Sequence, residues 1–222
     1  MRDDEWEQDE EASEEPLSGG RRGFLGALVA GAIGGASFVF RDRRRPAGRV
    51  TLRPPGALPA GEFEDACVRC FRCANACPNQ CIEFHGLGAG LDQLFTPYIH
   101  ARSRGCILCG ECAKACPTGA LQPFEATEEG WLASVDMGTA RVNEDLCYSY
   151  HGRTCGACYR ACPLAGQAMT IGLFETPIVH EDKCVGCGLC EQACLHLPQA
   201  IRVVPTRGSR RASASAVSER EA

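Results

Sequence analysis

The sequence predicts an α+β fold in which one βαββαβ unit is used twice, and three observations predict it. Sixteen of the seventeen cysteines fall into four copies of one spacing. Strand-like segments lead into and out of those cysteine runs. The stretch that carries them, 62–205, is one domain's worth of chain yet poor in large apolar residues, so burial alone would not close it.

The first run is Cys67, Cys70, Cys73 and Cys77, followed by Pro78. The second is Cys106, Cys109, Cys112 and Cys116, followed by Pro117. The third stretches its first gap: Cys147, then Cys155, Cys158, Cys162 and Pro163. The fourth is Cys184, Cys187, Cys190 and Cys194, with Leu195 in the proline position. Apart from that stretched gap, each reads as C-x2-C-x2-C-x3-C, the bacterial ferredoxin run, in which three thiolates hold one cubane cluster and the fourth ligates the neighbouring one. Four runs predict four [4Fe–4S] clusters held by these sixteen cysteines. Three cysteines within seven residues let a tight loop wrap one face of a cube and turn backbone N–H groups toward its sulfurs. The x3 is expected to begin a short helix that the proline ends.

Structural zinc sites pair two separated C-x2-C knuckles, and such a reading leaves the third cysteine of each run without a role. A disulfide scaffold needs neither the repeat nor the prolines. No C-x-x-C-H haem attachment site is present, and the glycine cluster at 86–90 follows no strand of the kind a dinucleotide-binding turn requires. Cys81 aligns with Ala120, Ala168 and Ala200 after the other runs. It reads as a buried small hydrophobe, with a fifth ligand or a redox thiol as the alternatives.

Taken in order, residues 1–20 carry nine acidic side chains and one arginine, the composition of a disordered leader. Within 21–45, Arg21-Arg22-Gly23-Phe24-Leu25 and the glycine-diluted apolar stretch 24–40 match a twin-arginine export signal. Clusters assembled in the cytoplasm require export of a folded protein. No clean A-x-A cleavage site follows, and Arg41, Arg43, Arg44 and Arg45 sit just after the apolar stretch, a charge pattern that by itself would keep the domain inside. The twin arginine is given more weight, which predicts a periplasmic domain; cleavage, or retention of 24–40 as a membrane anchor, stays open. Residues 46–61 suit an extended Pro/Gly/Ala linker, and 206–222 a disordered tail.

Inside 62–205, Ala140–Cys147 and Thr176–Cys184 each read as a strand, an acidic turn and a cluster loop. The segments 168–172 and 200–204 read as strands leaving helices. From Pro46 onward there are 16 basic and 18 acidic residues. Each oxidised cubane with its four thiolates adds about two further negative charges, so nucleic acid is excluded as a partner. No catalytic residue is assigned. The five histidines make no catalytic pair; His151 is the one candidate for tuning a cluster, against a plain surface histidine, and Tyr159 and Arg160 read as packing and capping the third loop.

From Phe63 to Pro205 the chain resembles the MauM/NapG group of ferredoxin-type proteins, from methylamine-utilisation and periplasmic nitrate reductase systems. The resemblance rests on Cys67-Val-Arg-Cys70, Thr96-Pro-Tyr98, Cys116-Pro-Thr-Gly-Ala120-Leu121, Met137-Gly138 and Cys184-Val-Gly-Cys187-Gly188. Above all it rests on the stretched third run with Cys158-Tyr159-Arg160-Ala-Cys162-Pro163-Leu164. It implies a periplasmic electron carrier that docks on a membrane quinol-oxidising partner and passes electrons to a soluble oxidoreductase. Two other roles stay open: a permanent iron–sulfur subunit of a molybdopterin-type enzyme, and a maturation factor for a periplasmic enzyme. By analogy with larger four-cluster proteins, the favoured pairing is nested, with Cys194 joining the first run and Cys162 the second. Sequential pairing is the alternative, supported by the 21-residue gap between Cys162 and Cys184.

Overall fold

The computed structural model describes residues 51–205; the leader, the twin-arginine segment and the tail lie outside the described residues. Every regular element is short. In chain order they are α1 (Glu62–Ala66), α2 (Arg72–Asn75), β1 (Ile82–Phe84), β2 (Pro97–Ile99), α3 (Glu111–Lys114) and α4 (Glu128–Ser134). Then follow β3 (Gly138–Val142), α5 (Ala157–Arg160), β4 (Met169–Ile171), β5 (Pro177–Val179), α6 (Leu189–Gln192) and β6 (Ile201–Pro205).

The strands form three two-stranded antiparallel sheets. In the second half β3 pairs with β6, from Gly138 opposite Pro205 to Val142 opposite Ile201, and β4 pairs with β5. The order is therefore strand, helix, strand, strand, helix, strand, with the outer strands together and the inner strands a hairpin. The first half repeats this with β1–β2 as the inner hairpin. Its outer pair shrinks to one bridge, Ala57 opposite Leu121, flanked by Leu58 N–H to Ala120 O at 3.1 Å and Gln122 N–H to Gly56 O at 2.7 Å. The strands at 138–142, 169–171, 177–179 and 201–205 fall where the alternating segments between the cysteine runs place them.

Two features depart from the expected organisation. The Pro/Gly/Ala stretch is not a free linker from Thr51 onward. Leu52 is 5 % exposed and bridges Ile99, Pro54 and Pro55 are fully buried, and the Ala57 bridge holds the segment down. Proline lacks an N–H to leave unpaired, so this stretch can be buried at little polar cost. The second departure is α4, which the cysteine pattern does not announce. Thr127 caps it by accepting from Gly130 N–H at 3.1 Å, and Trp131 Nε1–H reaches Leu108 O at 3.0 Å. Phe63, Leu108 and Val135 are completely enclosed in the apolar cluster against which Trp131 and Leu132 of this helix pack. No helix of the described residues is long and apolar enough to cross a membrane.

Candidate iron–sulfur sites

The backbone of each run is shaped by left-handed residues in its two-residue gaps. Phe71, Gly110, Gly156 and Gly188, each between the second and third cysteines, have φ of 63°, 77°, 57° and 84° and open the one-turn helices α2, α3, α5 and α6. Arg69, Leu108 and Gly186 do the same in the first gaps, at φ 55°, 59° and 73°. Consecutive left-handed and right-handed residues turn successive N–H groups to one side, forming a concave nest suited to anionic sulfur. The helix thus starts one residue before the third cysteine, earlier than the x3 position expected, because the left-handed residue already reverses the chain there. Phe71 stands where the other runs have glycine. Its ring packs edge-on against Phe84 (4.4 Å) and Phe95 (5.8 Å), contacts that offset the backbone cost.

Among the described residues, three cavities open over these loops, and four cysteines line each of them. Site 1 is lined by Cys67, Cys70, Cys73 and Cys116. Site 3 is lined by Cys162, Cys184, Cys187 and Cys190, and site 4 by Cys147, Cys155, Cys158 and Cys194. Cys77, Cys106, Cys109 and Cys112 are neighbours and are designated site 2: burial raises the Cys112 thiol, with Cys109 and then Cys77 adding to the rise, and Cys112 in turn adds to that of Cys106. Each of the three cavities draws three cysteines from one run and the fourth from its partner in the same half.

The pairing is therefore sequential, not nested: Cys194 lies with the third run and Cys116 with the first. The reason is local. The β1–β2 and β4–β5 hairpins fold consecutive runs back on each other, so α2 packs on α3 and α5 on α6. The segment carrying α4 separates the second run from the third.

The donor chemistry suits a cationic iron–sulfur group. Burial pushes the Cys73 and Cys158 thiols up to about 11 and the Cys112 and Cys187 thiols to about 12, with neighbouring thiolates adding to the rise. Four thiolates gathered in one apolar cavity are tolerable only with compensating positive charge, which iron would supply. Backbone N–H groups already point at sulfur: Leu108 to Cys106 (3.3 Å), Ala140 to Cys184 (3.4 Å) and Ala200 to Cys194 (3.4 Å). At Cys116 burial is outweighed by N–H groups of Leu121, Thr118 and Ala120 and by the Thr118 hydroxyl, and its thiol is lowered. Among the described residues no three His, Cys, Asp or Glu side chains converge closely enough for a lone metal ion. In sites 1, 3 and 4 the four cysteines instead line one cavity together.

The halves meet at sites 2 and 3. Cys106 N–H donates to Cys187 O at 2.7 Å and Gly105 N–H to Gln192 Oε1 at 2.8 Å, while within the first half Asn79 Nδ2 donates to Gly105 O at 2.7 Å. Arg102, which no motif singles out, crosses to the carbonyls of Glu191, Gln192 and Cys194 at 3.2, 3.2 and 2.9 Å, capping the end of α6.

The other sequence candidates also find places. Cys81 is 4 % exposed, buried like Ala120, Ala168 and Ala200, but it is more than packing: its Sγ lies 3.6 Å from Cys77 Sγ. Hydrogen bonding from Cys106, then Cys77, lowers its thiol to about 7 against the effect of burial. His151 is exposed and its Nε2 pairs with Asp145 O at 2.9 Å, so it tunes no site. Arg160 caps the third loop, bonding Cys155 O and both Glu175 oxygens, and Tyr159 packs on the small core around Met169 and Ile201. His196, absent from the sequence candidates, lines site 4, with its ring 5.1 Å from that of Tyr148.

A family profile described as "4Fe-4S dicluster domain" matches residues 66–120, 105–165 and 152–197. The "Methylamine utilization ferredoxin-type protein MauM" of Methylobacillus flagellatus is 39% identical over 191 residues, 82% of this chain and 79% of that protein. The "Ferredoxin-type protein NapG" of Escherichia coli is 37% identical over 204 residues, 84% of this chain and 86% of that protein. The chain belongs to the MauM/NapG family of ferredoxin-type proteins. A further MauM, of Methylorubrum extorquens, is 39% identical over 205 residues, 86% of this chain and 91% of that protein. Membership makes the chain a ferredoxin-type iron–sulfur electron-transfer protein. The three profile matches slide a two-run unit along four runs, and the first and last of them correspond to the halves in which sites 1 with 2 and 3 with 4 are built.

Proposed function

We propose that the protein is a one-electron relay carrying four [4Fe–4S] clusters, one at each site, in two fused bacterial ferredoxin-like units. The carrying observation is the exchange of fourth cysteines: Cys116 completes site 1 while the first run's Cys77 faces site 2, and Cys194 completes site 4 while Cys162 completes site 3. The sixteen thiolates are the ligands. A cluster held by four thiolates supplies outer-sphere electron transfer and leaves no open iron position for a substrate, so the protein has no catalytic site of its own.

The chain's own residues define the path. Sites 1 and 2 share the first two runs, and sites 3 and 4 the last two. Site 2 meets site 3 through the Cys106 to Cys187 hydrogen bond, giving a linear order 1–2–3–4. Apolar side chains dominate the walls of sites 1, 3 and 4, and the N–H groups aimed at sulfur favour the reduced, more negative state.

The twin arginine at 21–22 and the family resemblance support export of the loaded protein to the periplasm, with 24–40 available as an anchor. In this reading the donor is a membrane quinol-oxidising protein and the acceptor a periplasmic oxidoreductase of the nitrate reductase or methylamine type. Iron and acid-labile sulfide per chain, with EPR of the dithionite-reduced protein, test the core of it. About sixteen irons with interacting S = 1/2 signals are expected; roughly four zincs without sulfide would overturn it.

A further inference from the structure

The stretched gap of the third run carries a buried hydroxyl with nothing to bond. Tyr148–His151 form a 3-10 turn inside the gap, closed by Gly152 at φ 74°. Ser149 in that turn is 2 % exposed, and its Oγ has no hydrogen-bond partner. Burying a hydroxyl without a partner is unfavourable, and native proteins avoid it unless something else accepts the hydrogen. Ser149 is in the wall of site 4, between Cys147 and Cys155.

Resting on the four-cluster reading, we propose that Ser149 is a positioning residue for site 4, donating its O–H to sulfur of the group held there and raising that group's reduction potential. A hydroxyl accepts or donates, and the groups facing this cavity decide which. The four cysteines are acceptors once they are thiolates, as are the sulfides of a cube. Tyr148 and His196 also line the cavity, but His196 Nδ1 is engaged with Pro198 O at 2.7 Å. Site 3, built from the same two runs, is lined besides its cysteines by alanine, proline, leucine, methionine, valine and glycine, with no hydroxyl. A donor to sulfur stabilises the extra negative charge of the reduced state, so it raises the potential of the site that has it. The pair is thereby made unequal, and electrons arriving from site 3 are drawn to site 4 at the end of the chain of sites. This gives the stretched first gap a purpose, since an ordinary two-residue gap has no room for the turn that carries Ser149.

The test is an EPR-monitored redox titration of the full, iron-loaded chain, comparing the native protein with Ser149→Ala and with His151→Ala on the same turn. Iron and sulfide are counted first. Absence of clusters from the native protein would defeat the four-cluster reading itself. With clusters present, Ser149→Ala is expected to keep its full iron, shift one midpoint potential downward and leave the other three in place. His151→Ala is expected to move none. Unchanged potentials in Ser149→Ala, a loss of iron in it, or an equal shift in His151→Ala would each overturn the proposal.

Discussion

Gly105 is the position where a single methyl group tests how the two halves are joined. A Cβ built there falls 2.7 Å from Leu189 N, 2.8 Å from Gly188 C and 2.9 Å from Leu189 Cα, all backbone atoms that cannot swing aside. Gly105→Ala must therefore move the loop of site 2 away from the loop of site 3. Overpacking of this kind costs about 1–3 kcal/mol. The displacement also stretches Cys106 N–H to Cys187 O (2.7 Å) and Gly105 N–H to Gln192 Oε1 (2.8 Å). Each such bond is worth about 0.5–1.5 kcal/mol, so the total is about 2–6 kcal/mol. Gly86→Ala is the control, since a Cβ there meets nothing within 4 Å and its φ is −87°. Anaerobic guanidinium unfolding of the iron-loaded proteins, followed by cluster absorbance, should place the Gly105→Ala midpoint well below both the native protein and Gly86→Ala. The magnetic interaction between the second and third clusters should weaken in the same variant. A Gly105→Ala midpoint equal to that of Gly86→Ala would refute the tight junction on which the linear order of sites rests.

Three further outcomes follow from the sites. Cys116→Ala should lower iron by about four per chain or convert one cluster to a three-iron form, and the affected signal should be the one also lost in Cys70→Ala; coincidence with Cys155→Ala instead would restore nested pairing. Cys81→Ala should keep the full iron content, because alanine fills the matching position after the other three runs, and a loss of about four irons would make Cys81 a ligand. Stripping iron with a chelator under reducing conditions should abolish the near-ultraviolet circular dichroism in one step, since the closely packed residues include Cys77, Cys106, Cys112, Cys187 and Cys190. Retention of a native-like spectrum would show that the apolar core suffices.

The part of the site legible in the sequence is the part set by covalent spacing. A two-residue gap between cysteines leaves the backbone few ways to bring both sulfurs to one side, and twelve of the sixteen candidates line three cavities, four to each. Pairing was not legible, because Cys77, Cys116, Cys162 and Cys194 each leave a one-turn helix in the same way whichever run receives them. What decides is the hairpin between consecutive runs, a three-residue pairing such as Met169–Ile171 with Pro177–Val179 that spacing does not encode. Proline and alanine at 54–60 carry the composition of a linker, and only the tertiary contacts of Leu52 and Ala57 turn them into part of the body. Arg102 and Ser149 have no periodic signal at all. One acts across about ninety residues of chain, and the other is defined by the partner its hydroxyl lacks.

The exchange of fourth cysteines also orders the protein's synthesis. Cys77 leaves the ribosome long before the run it serves, and site 1 waits for Cys116. Site 2 has its four cysteines once Cys112 has been made and site 1 once Cys116 has, so both can close before Cys147 appears. A nascent chain of this design fills in two instalments, and the second half folds against a first that is already finished.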